Sequence, residues 1–114
     1  MSSLAEGDLI WLPEVDAKGK EQAGKRPAMV VSIDAMNEIG MAMVCPVTTH
    51  QGSAQAPRNP LEVALPKGLP IVGVVLCDQI KTVDWKTRGA TRICNAGRPA
   101  LLEVRARLRK LLGV

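Results

Sequence analysis

Phenylalanine and tyrosine are absent from this chain of 114 residues, and Trp11 and Trp85 are its only aromatics. A platform that stacks single-stranded bases needs several aromatic faces, so that mode of nucleic-acid binding is disfavoured. Histidine occurs once, at His50, and a two-histidine acid–base ribonuclease mechanism cannot be assembled in one subunit. The three cysteines, Cys45, Cys77 and Cys94, show no CxxC spacing and with a single histidine offer no zinc set. Each lies in an apolar run and reads as a small buried hydrophobe in a reducing compartment. Carboxylates are sparse and mostly solitary, which leaves a two-metal nuclease centre without ligands. There is no glycine-rich phosphate loop, no G-x-S-x-G elbow and no dinucleotide fingerprint. No apolar run nears the ~18 residues of a membrane span, and no charged-then-apolar leader opens the chain, so a cytoplasmic location is expected.

What is present is aliphatic and basic. Hydrophobic residues make up 46% of the chain, enough for one core in a single domain spanning residues 1–114. The formal net charge is +4, unevenly spread. Residues 81–114 hold nine basic residues against Asp84 and Glu103, while the other six basic residues sit among nine acids in residues 1–80. A basic C-terminal third suits a phosphate polymer or an acidic protein partner, although a solvated helix face accounts for much of it.

The apolar runs are short and bounded by turn residues. Gly7-Asp8 opens a strand over 9–12, closed by Pro13. Residues 14–25 are polar and predict a long mobile loop. Pro27 to Ile33 is a second strand. Asp34 is placed to cap a helical turn through Asn37, ended by Gly40. Met41 to Thr49 is a third strand, with Pro46 marking an edge or bulge. A second polar loop covers 50–58, a fourth strand 61–65 and a fifth 71–80. Asp84-Trp85-Lys86 predicts a helical turn before Gly89, and Ala90 to Cys94 a sixth strand. Pro99 opens a final helix on which Leu101, Val104, Leu108, Leu111 and Leu112 recur at helical spacing. The pattern is mainly β with few α: a small, partly closed antiparallel barrel with a C-terminal helix.

Without metal or paired histidines, phosphate chemistry would depend on positioned donors and on a nucleophile carried by the substrate. RNA carries one, its 2′-hydroxyl. Arg26 begins the second strand, Thr48 and Thr49 end the third, and Asp78 and Gln79 interrupt the fifth. Arginine offers a planar fork of donors for phosphate oxygens, and a threonine hydroxyl can hold a phosphate oxygen or the attacking hydroxyl. Taken singly, an arginine before a strand is usually a surface charge and a Thr-Thr pair is strand-favouring filler. An Asp-Gln pair inside an apolar strand calls for hydrogen-bond partners.

Five segments in order carry a resemblance. They are Gly7-Asp8-Leu9-Ile10-Trp11, Glu21-Gln22-Ala23-Gly24-Lys25-Arg26-Pro27-Ala28, Cys45-Pro46-Val47-Thr48-Thr49, Asp78-Gln79-Ile80-Lys81 and Arg88-Gly89-Ala90-Thr91. Together they resemble the MazF/PemK family of bacterial toxin endoribonucleases over nearly the whole chain. The resemblance implies an SH3-like barrel acting as a homodimer, with no membrane association and no cofactor. It implies sequence-specific, metal-independent cleavage of single-stranded RNA, chiefly mRNA, leaving a 2′,3′-cyclic phosphate and a 5′-hydroxyl. Family catalytic residues carry over to Arg26 and Thr48. Glu21, Gln22, Lys25, Thr49, His50, Asp78 and Gln79 are then expected to bind RNA or support the site. The implied partner is a cognate acidic antitoxin with a disordered C-terminal tail. A second reading is a non-enzymatic barrel of the same fold that blocks a protein target such as gyrase.

Overall fold

The computed structural model describes residues 3–15, 21–48 and 57–114. Seven strands and three helices follow in the order β1 (Asp8–Val15), β2 (Glu21–Val30), α1 (Asp34–Glu38), β3 (Ala42–Thr48), β4 (Glu62–Ala64), β5 (Val74–Leu76), β6 (Lys81–Val83), α2 (Trp85–Arg88), β7 (Thr91–Asn95) and α3 (Arg98–Leu112), with a 3-10 turn at Cys77–Gln79 between β5 and β6. All pairings are antiparallel, in the spatial order β4-β5-β3-β2-β1-β7, and β6 also pairs with β3. The sheet does not close, so the barrel is partial, as the sequence pattern implied.

Both faces of the central strands are buried, which is why they read as nearly continuous apolar runs. Leu9, Met29, Cys45 and Val47 point to one face, where Leu101, Val104 and Leu108 of α3 cover them. Ile10, Leu12, Ala28, Val30 and Val44 point to the other and pack with Leu4, Val83 and Trp85. Strand periodicity assigns alternate residues to opposite clusters, so one aliphatic sequence fills two cores. Leu111 and Leu112 continue the helical repeat of α3 but are 43% and 73% exposed.

Buried polar groups join the elements. The Trp85 indole N–H donates to the Asn37 carbonyl at 3.0 Å, fastening α2 to α1. Asn37, fully buried, donates to the Ser32 carbonyl at 3.2 Å and accepts the Ser32 hydroxyl. Arg105 of α3 donates to the Val31 carbonyl at 2.9 and 3.1 Å and to Glu6 at 2.8 Å. Asp8, 1% exposed, accepts from the Ala5 N–H, Arg92 Nε and Asn95 Nδ2 at 2.8, 2.9 and 3.0 Å. One carboxylate thus ties the start of β1 to β7.

Several elements differ from the sequence expectation. Residues 14–25 are not one long loop: β1 continues through Pro13 to Val15, and β2 begins at Glu21, with Pro13 opposite Lys25 and Val15 opposite Glu21. Strand pairing is a backbone matter, and polar side chains are compatible with it where the hairpin reaches solvent. Pro27 therefore lies inside β2, opposite Trp11, rather than at its start. Asp34 is the first residue of α1, not its cap; Ile33 holds the cap position, and the Asp34 carboxylate accepts from the Glu6 N–H instead. The fifth strand is confined to Val74–Leu76, because the chain turns through the 3-10 segment and re-enters the sheet as β6. The loop expected over 50–58 lies largely outside the described residues. α2 matches expectation, with Asp84 accepting from the Thr87 N–H at 3.0 Å and Gly89 in the left-handed region at φ 72°.

Two stability predictions follow from these contacts. Asp8→Ala removes the acceptor shared by the Ala5 N–H, Arg92 and Asn95, of which Asn95 keeps the Glu6 carbonyl, and should cost about 1–3 kcal/mol in urea unfolding; an unchanged midpoint would show that the cluster contributes nothing. The Arg105 guanidinium, followed by the Asp34 N–H, holds the Glu6 carboxyl below its ordinary value of 4.5. Its contribution is therefore present above the ordinary glutamate range and lost as pH falls through the lower folded value. Glu6→Gln should flatten the acid limb of a stability–pH curve below about 4.5 and leave its slope at neutral pH unchanged.

Candidate functional site

Two prolines open the sheet at one place. The Val31 N–H donates to the Met43 carbonyl, which sets the phase of the β2–β3 ladder. In that phase the backbone nitrogen of Pro27 faces β3, where it has no hydrogen to donate. Pairing between β2 and β3 stops at Ala28 opposite Pro46. The nitrogen of Pro46 faces the other neighbour of β3. There the partner changes from β6, last paired at Val44 with Lys81, to β5, first paired at Val47 with Val75. The 3-10 turn fills the interval between these two partners.

Continuing the β2–β3 register by two residues puts Arg26 opposite Thr48 on one face of the sheet. That face carries Ala28 and Val30 of β2 and Val44 of β3 deeper in the core, so the two polar side chains begin where the apolar packing ends. They line a common cavity of about 250 Å³ with Pro46, Val47, Leu76, Gln79 and Lys81. Arg26 is exposed and Thr48 half-buried. Among the described residues the lining holds two cationic side chains, one hydroxyl and one amide, and no carboxylate. Such a set attracts an anion and can donate to several of its oxygens.

The expected site residues fall into three groups. Arg26, Thr48 and Gln79 meet in the cavity. Lys25 is exposed on β2, opposite Pro13, outside the lining. Asp78 is exposed in the 3-10 turn and also outside the lining. The expectation that Asp78 and Gln79 interrupt a buried strand is thereby corrected: the turn carries both outward, and neither needs a partner in the core. Glu21 and Gln22 lie on the backbone of β2. Thr49 and His50 lie outside the described residues. Lys81 was legible only as part of a longer motif. Its signal is its place two residues after Gln79, at the start of β6. Among the described residues no cluster of three or more histidine, cysteine or carboxylate groups could hold a metal ion, and no helix is long and apolar enough to cross a membrane.

Beneath the cavity wall lie two thiols. Burial, with Cys77 and Asp78 nearby, pushes Cys45 up to about 12. Burial likewise pushes Cys77 up to about 11, against a lowering influence from Arg107. Both stay protonated at neutral pH and have no part in the chemistry of the cavity.

Comparison with known proteins agrees with this geometry. A family model described as PemK-like, MazF-like toxin of type II toxin-antitoxin system matches residues 5–112. The endoribonuclease toxin MazF of Escherichia coli K12 is 40% identical over 108 residues, covering 94% of this chain and 92% of that protein. The Escherichia coli endoribonuclease PemK is 36% identical over 114 residues, covering 97% and 84%. A crystal structure of MazE-MazF from Deinococcus radiodurans superposes with a TM-score of 0.86 at 39% identity, covering 100% of this chain and 99% of that one. The two Escherichia coli relatives are named as endoribonucleases, which does not favour the reading as a non-enzymatic blocker of gyrase. With residues 5–112 matched, the chain belongs to the PemK-like, MazF-like family of toxins of type II toxin–antitoxin systems.

Proposed function

We propose that residues 1–114 form a single toxin domain that cleaves single-stranded mRNA without a metal ion, at specific sequences. The observation that carries this reading is the convergence of Arg26 of β2 and Thr48 of β3 on one cavity. The 2′-oxygen of the ribose attacks the adjacent phosphorus, and the bond from phosphorus to the 5′-oxygen breaks. The products are a 2′,3′-cyclic phosphate and a 5′-hydroxyl. Charge builds on the non-bridging oxygens in the transition state, and the Arg26 guanidinium meets it with two parallel donors. The Thr48 hydroxyl orients the phosphate and the attacking oxygen, replacing the disorder of free RNA with a fixed approach. Lys81 adds a second positive charge, and the Gln79 amide a neutral donor, along the same wall.

The basic C-terminal third and the open, cation-lined cavity suit an acidic antitoxin whose disordered tail competes with RNA for the same donors. The protein works as a homodimer in the cytoplasm. Leu102, Leu111 and Leu112, exposed on α3, are apolar surface available to a second copy.

Purified protein should cut a long transcript at a few fixed sites in EDTA, with ends that primer extension maps and that carry cyclic phosphate. Arg26→Ala and Thr48→Val should each slow cleavage by about 10²–10³-fold while leaving the circular dichroism spectrum intact. Thr48→Ser should retain most of the rate because it keeps the hydroxyl. A requirement for added magnesium, or full activity in Arg26→Ala, would reject the mechanism. Light scattering should give twice the chain mass, and Leu111→Glu combined with Leu112→Glu should shift it toward the monomer; a monomeric unsubstituted chain at micromolar concentration would remove the dimer.

A further inference from the structure

Cys45 and Cys77 are both fully buried, in one apolar cluster, and the reading above uses neither thiol. β3 and β5 pair with Val47 opposite Val75 and Thr48 opposite Val74. Extending that register by two residues, past the end of β5, brings Cys45 opposite Cys77. The chain keeps its strand register that far, because the Cys77 N–H donates to the Leu61 carbonyl at 3.1 Å, the next rung of the β4–β5 ladder in which Val63 opposes Val75. That bond directs the polar groups of the Cys77 backbone toward β4. Toward β3 the residue therefore holds a non-hydrogen-bonded position, where opposed Cα atoms of antiparallel strands approach to about 4.5 Å and side chains lie closest. Disulfide geometry accepts Cα separations of about 4.4–6.8 Å. Alternate residues 45, 47, 75 and 77 all face the same cluster, so the two sulfur atoms are on one side of the sheet.

We propose that Cys45 and Cys77 form a cross-strand dithiol site that a small peroxide oxidises to an intramolecular disulfide within the folded protein. One sulfur attacks a peroxide oxygen, the O–O bond breaks, and the sulfur becomes a sulfenic acid as the first water leaves. The second sulfur attacks the sulfenic sulfur, the S–S bond forms, and a second water departs. Two thiols and one hydrogen peroxide thus give one disulfide and two waters. Burial raises both thiols, which makes the reaction slow at neutral pH. The bond would tie β3, which ends in Thr48, to the 3-10 turn that carries Gln79, fixing two walls of the cavity against each other.

The test uses the full chain with Cys94→Ser, so that these two cysteines alone remain. The folded protein is incubated with hydrogen peroxide, alkylated in denaturant, and read by intact mass and peptide mapping. The expected product is a monomeric chain lighter by two hydrogen atoms, with the peptides containing Cys45 and Cys77 joined until reductant is added, and a melting temperature that falls back on reduction. Adding Cys45→Ala or Cys77→Ala to the same background should abolish that species. Complete alkylation of both thiols after an exposure that fully oxidises free cysteine would overturn the proposal. So would a sulfinic acid at either position without a crosslink, or a crosslink that forms only in denaturant.

Discussion

Proline has no backbone N–H, and in this chain two prolines on adjacent strands withhold that donor at one height of the sheet. Pro27 cannot donate to β3, and the β2–β3 ladder ends beside it. Pro46 cannot donate to its other neighbour, and β3 exchanges β6 for β5 across that gap. An opening in a sheet normally costs stability through unpaired carbonyls and donors. Here the missing donors belong to residues that never had them, so the strands can part with less loss. The cavity lies in that parting, and its polar lining begins two residues beyond the last paired position.

The surrounding packing makes the opening rigid. Each central strand is buried on both faces, and a slip of one residue would exchange the contents of two aliphatic clusters. Arg26 and Thr48 lie two residues beyond the last pair of that fixed register. α3 closes one face, and Arg105 fastens it to the end of β2 and to Glu6. Because the protein lacks phenylalanine and tyrosine, valine and leucine supply this rigidity, with Trp85 closing the second cluster under α1. β-branched side chains, stiff about χ1, suit strands packed on two sides.

Much of the fold was legible in the residues. α3 showed its helical repeat and its Pro99 start, and α2 showed itself as a helical turn before Gly89, although its aspartate cap was not read from the sequence. The apolar strands showed themselves as short runs between turn residues. The hairpin of β1 and β2 was not legible, because polar residues 21–26 pair through their backbones and leave no periodic signal. The 3-10 turn was hidden for a related reason: Cys77 and Ile80 continue the apolar run on both sides of Asp78-Gln79, so composition suggests one strand where the chain in fact leaves the sheet and returns. Arg26 and Thr48 were found through a family pattern. Lys81 escaped because its importance lies in position rather than residue type.

By itself the sequence determined what chemistry is available: no paired histidines, no metal set, a few well-spaced donors and a surplus of positive charge toward the C-terminus. It also determined the number and kind of most elements, since periodicity and turn residues act locally. Only the tertiary structure decided which donors share a cavity. Residues 26, 48 and 79–81 come from three separate stretches of chain, and their meeting depends on the tertiary fold. Register is set by the whole two-sided burial of the sheet and by the side on which each backbone nitrogen falls, and neither is a property of any single segment.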